Sequence, residues 1–511
     1  MNGSWYGSHA LVVLLLVWLS VVSGMCCSIS FLVMHFISFA TLFLIASSSP
    51  PRPLKRIAHP STLALEILPR QIPPPKSLHS RSLSFLDSHT LYHSDTFRLT
   101  FAAFGDVFHL HLRPNDHLIH RAARINYFKV DHNGRSVLDR TVPLVRESIR
   151  AYWGEVIATD QSPARMREDA AGVLPRPSGK PGTELGWARI IVHSQGDTAR
   201  GIPPIFEGAF EVNGVTHHVQ MRENYLRNKH QLDPKLVEGI NDIDTQLVIW
   251  RDSDVIHPEK EDKHAHSCTH DSLDFNSSPW QNPVLRKPVR QAWYDPLGML
   301  GPLDPRNNAT HSKRDDVAGG SSSSNFQDSI GSTSGCPSTA KVVYMGVAAD
   351  CEYVTNYGSP QNATLQILNN WNMASTTYKS TFNVSLGILE LSIQNGTCPS
   401  AASADPPWNV GCGNVTLNDR LSLFSQWRGE KGNDGAGLWH LMSGCPTGTE
   451  VGVAWLGTLC QQSASGQTGS VVSGTAVTTN GRTEWEVVAH EVGHNFGAIV
   501  RFNFAHTGYS V

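Results

Sequence analysis

The chain has 511 residues, of which 40% are hydrophobic and 17% charged, and its formal net charge is −3. This length corresponds to about three domains, and the apolar content is sufficient for ordinary cores. The nearly balanced charge argues against a nucleic-acid partner and against recruitment to an anionic membrane surface.

The first 49 residues contain no Asp, Glu, Lys or Arg and hold two apolar runs, Ala10–Val22 and Ile29–Ile45. Both runs are shorter than the about 20 residues of a comfortable transmembrane helix. The second run ends in Ala-Ser-Ser-Ser, and such small residues are typical of signal-peptide cleavage sites. We therefore expect residues 1–49 to be a signal peptide or hydrophobic leader that directs the chain into the secretory pathway. An uncleaved signal anchor is the alternative.

Residues 50–81 are rich in proline and are expected to form a linker. A β-rich domain is predicted from residue 82 onwards. Phe97, Leu99 and Phe101 alternate with other side chains, which is the period of a half-buried strand. Asn213-Gly214 between two short apolar runs predicts a hairpin with a two-residue turn. This β-rich pattern covers residues 82–250, and residues 251–335 are polar and irregular.

A dibasic pair, Lys313-Arg314, follows this β-rich region and is itself followed by a Gly/Ser-rich linker over residues 315–335. Furin- or kexin-like proprotein convertases cleave such pairs in exposed linkers. Another dibasic pair, Lys55-Arg56, shows that the motif alone has low specificity. The position of Lys313-Arg314 between two different halves of the chain favours it as the processing site.

The last third carries most of the cysteines, which predicts a disulfide framework whose connectivity the sequence alone cannot choose. These cysteines are Cys336, Cys351, Cys398, Cys412, Cys445 and Cys460. The chain also contains a set of N-glycosylation sequons, which fits a surface made in the secretory pathway. The sequon asparagines are Asn276, Asn308, Asn362, Asn383, Asn395 and Asn414.

Strands and helices alternate over residues 336–511, which predicts an α/β fold. The predicted strands are Lys341–Ala349, Leu386–Ile393, Trp439–Met442 and Val451–Leu456. The predicted helices are 359–379, Leu417–Lys431 and Arg482–Phe496.

The last predicted helix contains the pattern H-E-x-x-H at His490, Glu491 and His494. Imidazoles at i and i+4 lie on one face of a helix, so both can bind a single Zn²⁺. Glu491 lies close enough to accept a proton from a zinc-activated water, as in zinc peptidases. The alternative is a core helix with two incidental histidines.

The ends of the same helix carry two further signals. Thr483 and Glu486 form a capping-box pattern at its start. Gly497 is suited to the left-handed conformation that ends a helix.

The string H-E-V-G-H-N-F-G at 490–497 resembles the metzincin motif H-E-x-x-H-x-x-G-x-x-H. Residues 437–445 and 449–460 are similar to the strands that precede this helix in the fungal branch of the ADAM/reprolysin family. The resemblance implies a secreted or cell-surface zinc metalloendopeptidase, made as a zymogen, that hydrolyses protein or peptide substrates. It also implies a metzincin-like catalytic domain over 336–511, preceded by a β-rich propeptide domain over 82–314.

The chain departs from the family pattern at position 500, where the third zinc-binding histidine is replaced by Val500. No Asp or Glu follows Glu491, and His506 is the only remaining donor, at a longer spacing than the family uses. We therefore expect an incomplete catalytic domain that binds zinc more weakly, because a catalytic zinc normally has three protein ligands. A catalytically crippled pseudoprotease, a binding protein or a truncated gene product is the alternative. The full-length form is expected to be extracellular or membrane-tethered.

The resemblance suggests a latency switch as well. In related zymogens a propeptide thiolate occupies the open position on zinc, and Cys268 is the candidate here. A surface cysteine among solvated histidines, or a separate metal site formed with those histidines, is the alternative.

In metzincins the strand before the zinc helix pairs with extended substrate backbone. Val453–Thr458 is the candidate for this strand, with Trp455, Leu456 and Gly457 as its substrate-contacting residues. An ordinary edge strand without a ligand is the alternative.

Overall fold

The structure is a computed structural model. It describes residues 10–14, 52–70, 90–172, 183–197, 200–236, 246–256, 273–278, 280–282, 285, 339–399, 405–445 and 451–502. Several sequence predictions lie outside these described residues. They are Cys268, Asn308, Lys313, Arg314, the linker 315–335, Cys336, His506 and most of the leader.

The strands in chain order are β1 Ala10–Leu14, β2 Ser61–Ile67, β3 Phe97–Ala103, β4 Asp106–Pro114, β5 Ile119–Val130, β6 Ser136–Pro143, β7 Ala151–Ile157, β8 Glu184–Ser194, β9 Ile205–Val212, β10 Val215–Met221, β11 Leu247–Arg251, β12 Lys341–Ala349, β13 Val384–Ile393, β14 Leu438–Ser443, β15 Gly452–Ala454, β16 Ser465–Gln467, β17 Ser470–Val472, β18 Thr475–Thr479 and β19 Ala498–Phe502. The α-helices are α1 Ser162–Ala170, α2 Arg222–Arg227, α3 Asp274–Ser277, α4 Cys351–Tyr357, α5 Pro360–Phe382, α6 Leu417–Lys431 and α7 Glu484–Asn495.

The N-terminal half forms an eight-stranded antiparallel sheet in the order β11-β10-β9-β8-β7-β4-β3-β2, which we call the N-terminal sheet. The alternating side chains of Phe97, Leu99 and Phe101 are buried in its core, as the period of two predicts. Asn213 and Gly214 both have positive φ and join β9 to β10, so the predicted two-residue hairpin is confirmed.

The structure corrects the prediction that residues 50–81 form only a linker. Ser61–Ile67 forms β2, which pairs antiparallel with β3 and places Leu65 opposite Leu99. Leu65 and Ile67 pack against the core of the N-terminal sheet. Pro60 and Pro69 flank this strand and do not interrupt it, so the proline-rich composition concealed a strand.

The C-terminal half forms most of a seven-stranded sheet in the order β15-β18-β14-β12-β13-β5-β6, which we call the C-terminal sheet. Parallel pairings join β18, β14, β12 and β13, whereas β15 pairs antiparallel with β18 and forms one edge. The helix α5 packs on this sheet and contacts α7, and Trp371 and Ile367 of α5 are fully buried between them. The mixed layout agrees with the predicted α/β class.

The two halves of the chain share the C-terminal sheet. Strand β5, from the region predicted to be a separate β-rich domain, pairs parallel with β13, and β6 continues the sheet beyond β5. The buried carboxylate of Glu390 on β13 accepts hydrogen bonds from Arg124, from Asn126 at 3.0 Å and from Lys431 at 2.9 Å. The pairing of β5 with β13 spans a long sequence separation, so no local pattern indicated it.

The ends of the described chain also meet. Strand β1 pairs antiparallel with β19, which places Val12 opposite Val500. The assignment of residues 1–49 as a cleaved leader stays a prediction. In the parts of the chain that the structure describes, no helix combines the length and apolarity that a membrane crossing needs. Two disulfides, Cys351–Cys398 and Cys412–Cys445, fall within the predicted cysteine framework.

Replacing Glu390 tests the junction between the two halves. Glu390→Ala leaves three donors without their common acceptor, of which Arg124 is the most exposed. We expect the free energy of unfolding to fall by about 1–3 kcal/mol, measured by urea denaturation. Glu430→Ala, on an exposed position of α6, is the control and should change it by less than about 0.5 kcal/mol. Equal effects of the two substitutions would contradict the assigned role of Glu390.

Candidate active site

Helix α7 carries the H-E-x-x-H motif and is held by its apolar face. Val488, Ala489 and Val492 are buried in the main core of the C-terminal sheet. The hydroxyl of Tyr378 on α5 donates a hydrogen bond to the carbonyl of Ala489 at 2.7 Å. Gly497 has φ +99° just beyond the helix, so its predicted role in ending the helix is confirmed.

The predicted capping box at the start of α7 is wrong. The Thr483 side chain makes no capping hydrogen bond, and its φ and ψ are −111° and 39°. Glu486 instead faces His218 of the N-terminal sheet, with 3.8 Å between its Oε1 and His218 Nε2. The Glu486 side chain therefore contacts His218 and does not cap the helix.

The two imidazoles of the motif converge. Nε2 of His490 and Nε2 of His494 lie 3.0 Å apart. In a tetrahedral site with Zn–N bonds of about 2.0–2.1 Å, two ring nitrogens lie about 3.3 Å apart. His494 is 1% exposed and His490 is half-buried, so the pair is accessible to solvent only on the side of His490. The two imidazoles can therefore fill two of the four coordination positions of a tetrahedral zinc ion.

The hydrogen bond at the far side of His494 fixes its tautomer. Nδ1 of His494 lies 2.7 Å from the carbonyl oxygen of Ala498, and a carbonyl can only accept, so Nδ1 carries the proton. Nε2 then keeps its lone pair on the side of His490. Metal-ligating histidines in proteins are oriented in this way by a second partner on the other ring nitrogen.

A third ligand does not join the pair within the described residues. Position 500 lies on β19, and the valine there has no atom that binds a metal. In the described ranges, His490 and His494 belong to no cluster of three metal-ligating side chains. Among the described residues, two imidazoles are thus placed to bind one zinc ion, and the weaker binding expected from the sequence stays a prediction.

Glu491 is held where the motif requires it. Glu491 is 2% exposed, and its side chain packs against Gly452 of β15. A Cβ added at Gly452 would lie 2.5 Å from Glu491 Oε1, inside van der Waals contact. The absence of a side chain at Gly452 is therefore what leaves room for the carboxylate between α7 and β15.

Comparison with known proteins agrees with this geometry. Residues 339–509 match the model of the reprolysin-like metallopeptidase family M12B. These residues form a reprolysin-like metallopeptidase domain. The metal that this family uses is zinc.

Several proteins that are similar to this chain come from fungi. The chain is 34% identical over 426 residues to a disintegrin and metalloproteinase domain-containing protein B of Aspergillus fumigatus, which covers 81% of the chain and 50% of that protein. It is 32% identical over 412 residues to the protein of the same name from Arthroderma benhamiae, covering 76% of the chain and 47% of that protein. It is 29% identical over 177 residues to the zinc metalloprotease mde10 of Schizosaccharomyces pombe, covering 31% and 34%. The chain thus spans about half the length of the first two relatives.

The predicted substrate strand of the reprolysin-like domain is shorter than expected. Strand β15 ends at Ala454, and Trp455, Leu456 and Gly457 follow it in a turn. This turn is tied to the end of α7, because the Gly457 N–H donates to His494 O at 2.8 Å. The Asn495 amide donates to Trp455 O at 2.9 Å and to Thr475 O at 2.9 Å. The candidate substrate edge and the zinc helix therefore form one hydrogen-bonded unit.

A second group of metal-ligating types joins the reprolysin-like domain to the N-terminal sheet. It consists of His218, Asp252 and Glu486. The Trp485 indole N–H donates to His218 Nδ1 at 3.4 Å, so the ring proton is on Nε2, which donates to Asp252 Oδ1 at 2.8 Å. Burial, and then the neighbouring Asp252 carboxylate, raise the pKa of Glu486 well above its usual value. This tautomer leaves no lone pair on His218 for a metal, so the group is a hydrogen-bonded contact.

Glu484 begins α7 in a buried polar cluster. Its carboxyl accepts hydrogen bonds from Tyr353 at 2.9 Å, from Tyr357 at 3.2 Å and from Asn370. Burial raises the pKa of Glu484 to about 7, although these donors favour the ionised form. The first turn of the zinc helix is thus attached to α4 and α5 through one carboxyl group.

The sequon asparagines differ in their surroundings. Asn362 and Asn414 are exposed, Asn383 and Asn395 are half-buried, and Asn276 is 4% exposed. Their glycosylation stays a prediction.

The raised pKa of Glu484 predicts a pH-dependent stability. A carboxyl group with a higher pKa in the folded state stabilises fully below its unfolded pKa of 4.5, and this contribution is lost as pH rises through about 7. Relative to Glu484→Gln, the free energy of unfolding of the wild type should fall by on the order of 3 kcal/mol between these pH values. Chemical denaturation at a series of pH values measures this. Parallel profiles for the two proteins would contradict the assignment.

Proposed function

We propose that this chain is the zymogen of a secreted or cell-surface zinc metalloendopeptidase. The observation that carries the proposal is the convergence of His490 Nε2 and His494 Nε2 to 3.0 Å beside the buried Glu491. The match of residues 339–509 to a metallopeptidase family supports it.

The roles of the three motif residues follow from their positions. His490 and His494 would hold the zinc ion. When bound, zinc polarises a peptide carbonyl and lowers the pKa of water to about 7. Glu491 accepts the proton of the attacking water and delivers it to the leaving amine. Its contact with Gly452 fixes the carboxylate before substrate arrives, so that little reorganisation is needed during proton transfer.

The substrate is an extended peptide. Strand β15 is the edge of the C-terminal sheet beside the zinc helix, and a strand edge binds peptide backbone by adding a strand. Trp455, Leu456 and Gly457 continue this edge towards His494. Peptide bonds of proteins or peptides in the extended conformation are therefore the substrate class.

Several features support secretion and processing. The described disulfides Cys351–Cys398 and Cys412–Cys445 fit an oxidising compartment. The leader, the exposed sequons at Asn362 and Asn414, and the dibasic pair at Lys313-Arg314 are consistent with a glycoprotein matured by a proprotein convertase. In this scheme residues 82–314 act as the propeptide, and Cys268 is the candidate thiolate ligand that keeps the zymogen latent.

One observation favours a second candidate function, that of a pseudoprotease or binding protein. Position 500, where the family has its third histidine, is a valine whose strand pairs with β1. A zinc held by two protein ligands is bound more weakly than one held by three. Zinc binding at stoichiometric level without peptide cleavage would support this candidate over the peptidase.

Substitutions in the motif separate metal binding from catalysis. Glu491→Gln should retain zinc but lower the peptide-cleavage rate at least about 10²-fold, because the proton acceptor is lost. His494→Ala should lose zinc, since only one histidine remains. Zinc content by mass spectrometry and cleavage of an unstructured peptide measure the two effects in the purified full-length chain. Full cleavage activity in Glu491→Gln would contradict the assigned role.

A substitution at Gly452 tests the positioning of Glu491. Gly452→Ala introduces a methyl group where the Glu491 carboxylate lies, so it should lower the cleavage rate about 10-fold or more while zinc stays bound. Gly481→Ala is the matched control, because a Cβ there meets nothing within 4 Å and no positive φ is required. Equal cleavage rates for the two variants would show that the contact does not position Glu491.

A further inference from the structure

The outer side of β15 presents backbone groups that a sheet edge normally offers to another strand. The Trp455 N–H points inward and donates to Thr475 O of β18 at 3.4 Å. Because successive residues of a strand alternate in direction, the C=O of Ala454 at the end of β15 points away from β18. The Leu456 N–H follows two residues later, in the turn after β15. Both groups belong to the candidate substrate edge.

Both groups are occupied by the amide of Asn276 from the other half of the chain. Nδ2 of Asn276 donates to Ala454 O at 2.8 Å, and Oδ1 accepts from Leu456 N–H at 2.8 Å. Asn276 is 4% exposed. One side-chain amide thus supplies a donor and an acceptor, the same two groups that one residue of an added parallel strand would supply.

A second asparagine extends the contact. Nδ2 of Asn282 donates to Leu456 O at 3.0 Å, and Asn282 is 1% exposed. Three consecutive outward-facing backbone groups of the edge are therefore satisfied by two buried side chains. Buried amides of this kind require hydrogen-bond partners, which makes the contact specific.

Apolar contacts hold the same segment. The Phe275 ring meets the Trp455 ring edge-on with 5.8 Å between centroids. Leu273 and Phe275 both pack against the core cluster that contains Trp455. The segment 273–282, as far as it is described, therefore covers both the backbone edge and the apolar side chain beside it.

The asparagine that makes this contact also begins a glycosylation sequon, Asn276-Ser277-Ser278. An N-linked glycan is attached to the same Nδ2 atom that donates to Ala454 O. A bulky sugar on a residue that is 4% exposed cannot be accommodated in this conformation. Glycosylation of Asn276 and the contact with β15 are mutually exclusive.

We propose that Asn276 and Asn282 form an amide clamp that closes the β15 edge against extended peptides, and that Asn276 stays unglycosylated in the folded chain for this reason. The clamp blocks the edge next to α7 without requiring a metal ligand. Its effect on catalysis rests on the proposed peptidase function, whereas the contact itself does not.

Hydrogen–deuterium exchange of the full-length chain tests the clamp without any assay of activity. In Asn276→Ala the peptide covering residues 454–457 should exchange at least about 10-fold faster than in the wild type, because the Leu456 N–H loses its acceptor. Ser278→Ala also destroys the sequon but keeps the amide, and it should exchange like the wild type. Asn414→Ala, which removes an exposed sequon asparagine, should leave this peptide unchanged.

Two results would overturn the proposal. One is an unchanged exchange rate of residues 454–457 in Asn276→Ala, provided that circular dichroism shows a folded chain. The other is a glycan on Asn276 in the secreted wild type, detected by mass spectrometry of the glycopeptides. Should Asn276→Ala fail to fold, Asn276→Leu replaces it, since it keeps the size of the side chain but has no acceptor for the Leu456 N–H. Faster exchange of residues 454–457 in Asn276→Leu would support the clamp, and unchanged exchange would overturn it. None of these outcomes depends on whether the chain cleaves peptides.

Discussion

The convergence of two imidazole nitrogens on one face of α7 is the constraint on which the remaining structure depends. Any helix places residues such as His490 and His494 one turn apart. Their ring nitrogens come together only if other contacts fix the helix and orient the two rings. The Ala498 carbonyl orients His494, and the Tyr378 hydroxyl ties the middle of the helix to α5. The chemistry of the site therefore begins with contacts that are purely structural.

The N-terminal half of the chain contacts the same unit at several places. It adds β5 and β6 to the C-terminal sheet, and Asp233 forms a buried ion pair with Arg482 just before α7. His218 and Asp252 meet Glu486 in the first turn, and Asn276 meets the edge of β15. The two halves are therefore interlocked in the intact chain, and separating them requires more than cutting one linker.

The sequence predicted the elements whose signals are local. Helix α6 has the predicted bounds Leu417–Lys431, and a capping box formed by Thr416 and Asp419 fixes its start. The zinc helix and its glycine stop were also predictable, since the spacing of ligands carries its own geometric reason. The two-residue turn at Asn213-Gly214 was predictable for the same reason, because its signal is local.

Features that depend on contacts between residues far apart in the sequence were not predicted. Strand β18, Thr475–Thr479, is buried on both faces and shows no alternation that would distinguish it from its surroundings. The parallel pairing of β5 with β13 joins residues that are far apart in the chain. The capping box failed because Glu486 is used by His218, and the clamp of Asn276 had no signal beyond a sequon. The polar partners of the site thus come from tertiary structure.

X-ray absorption at the zinc edge of the purified, secreted full-length chain tests the central claim most directly. If His490 and His494 hold the metal, the spectrum should show imidazole nitrogens at about 2.0–2.1 Å, and His490→Ala should change the number of imidazole ligands or abolish binding. Absence of bound zinc in the wild type, or a spectrum that His490→Ala leaves unchanged, would contradict the account.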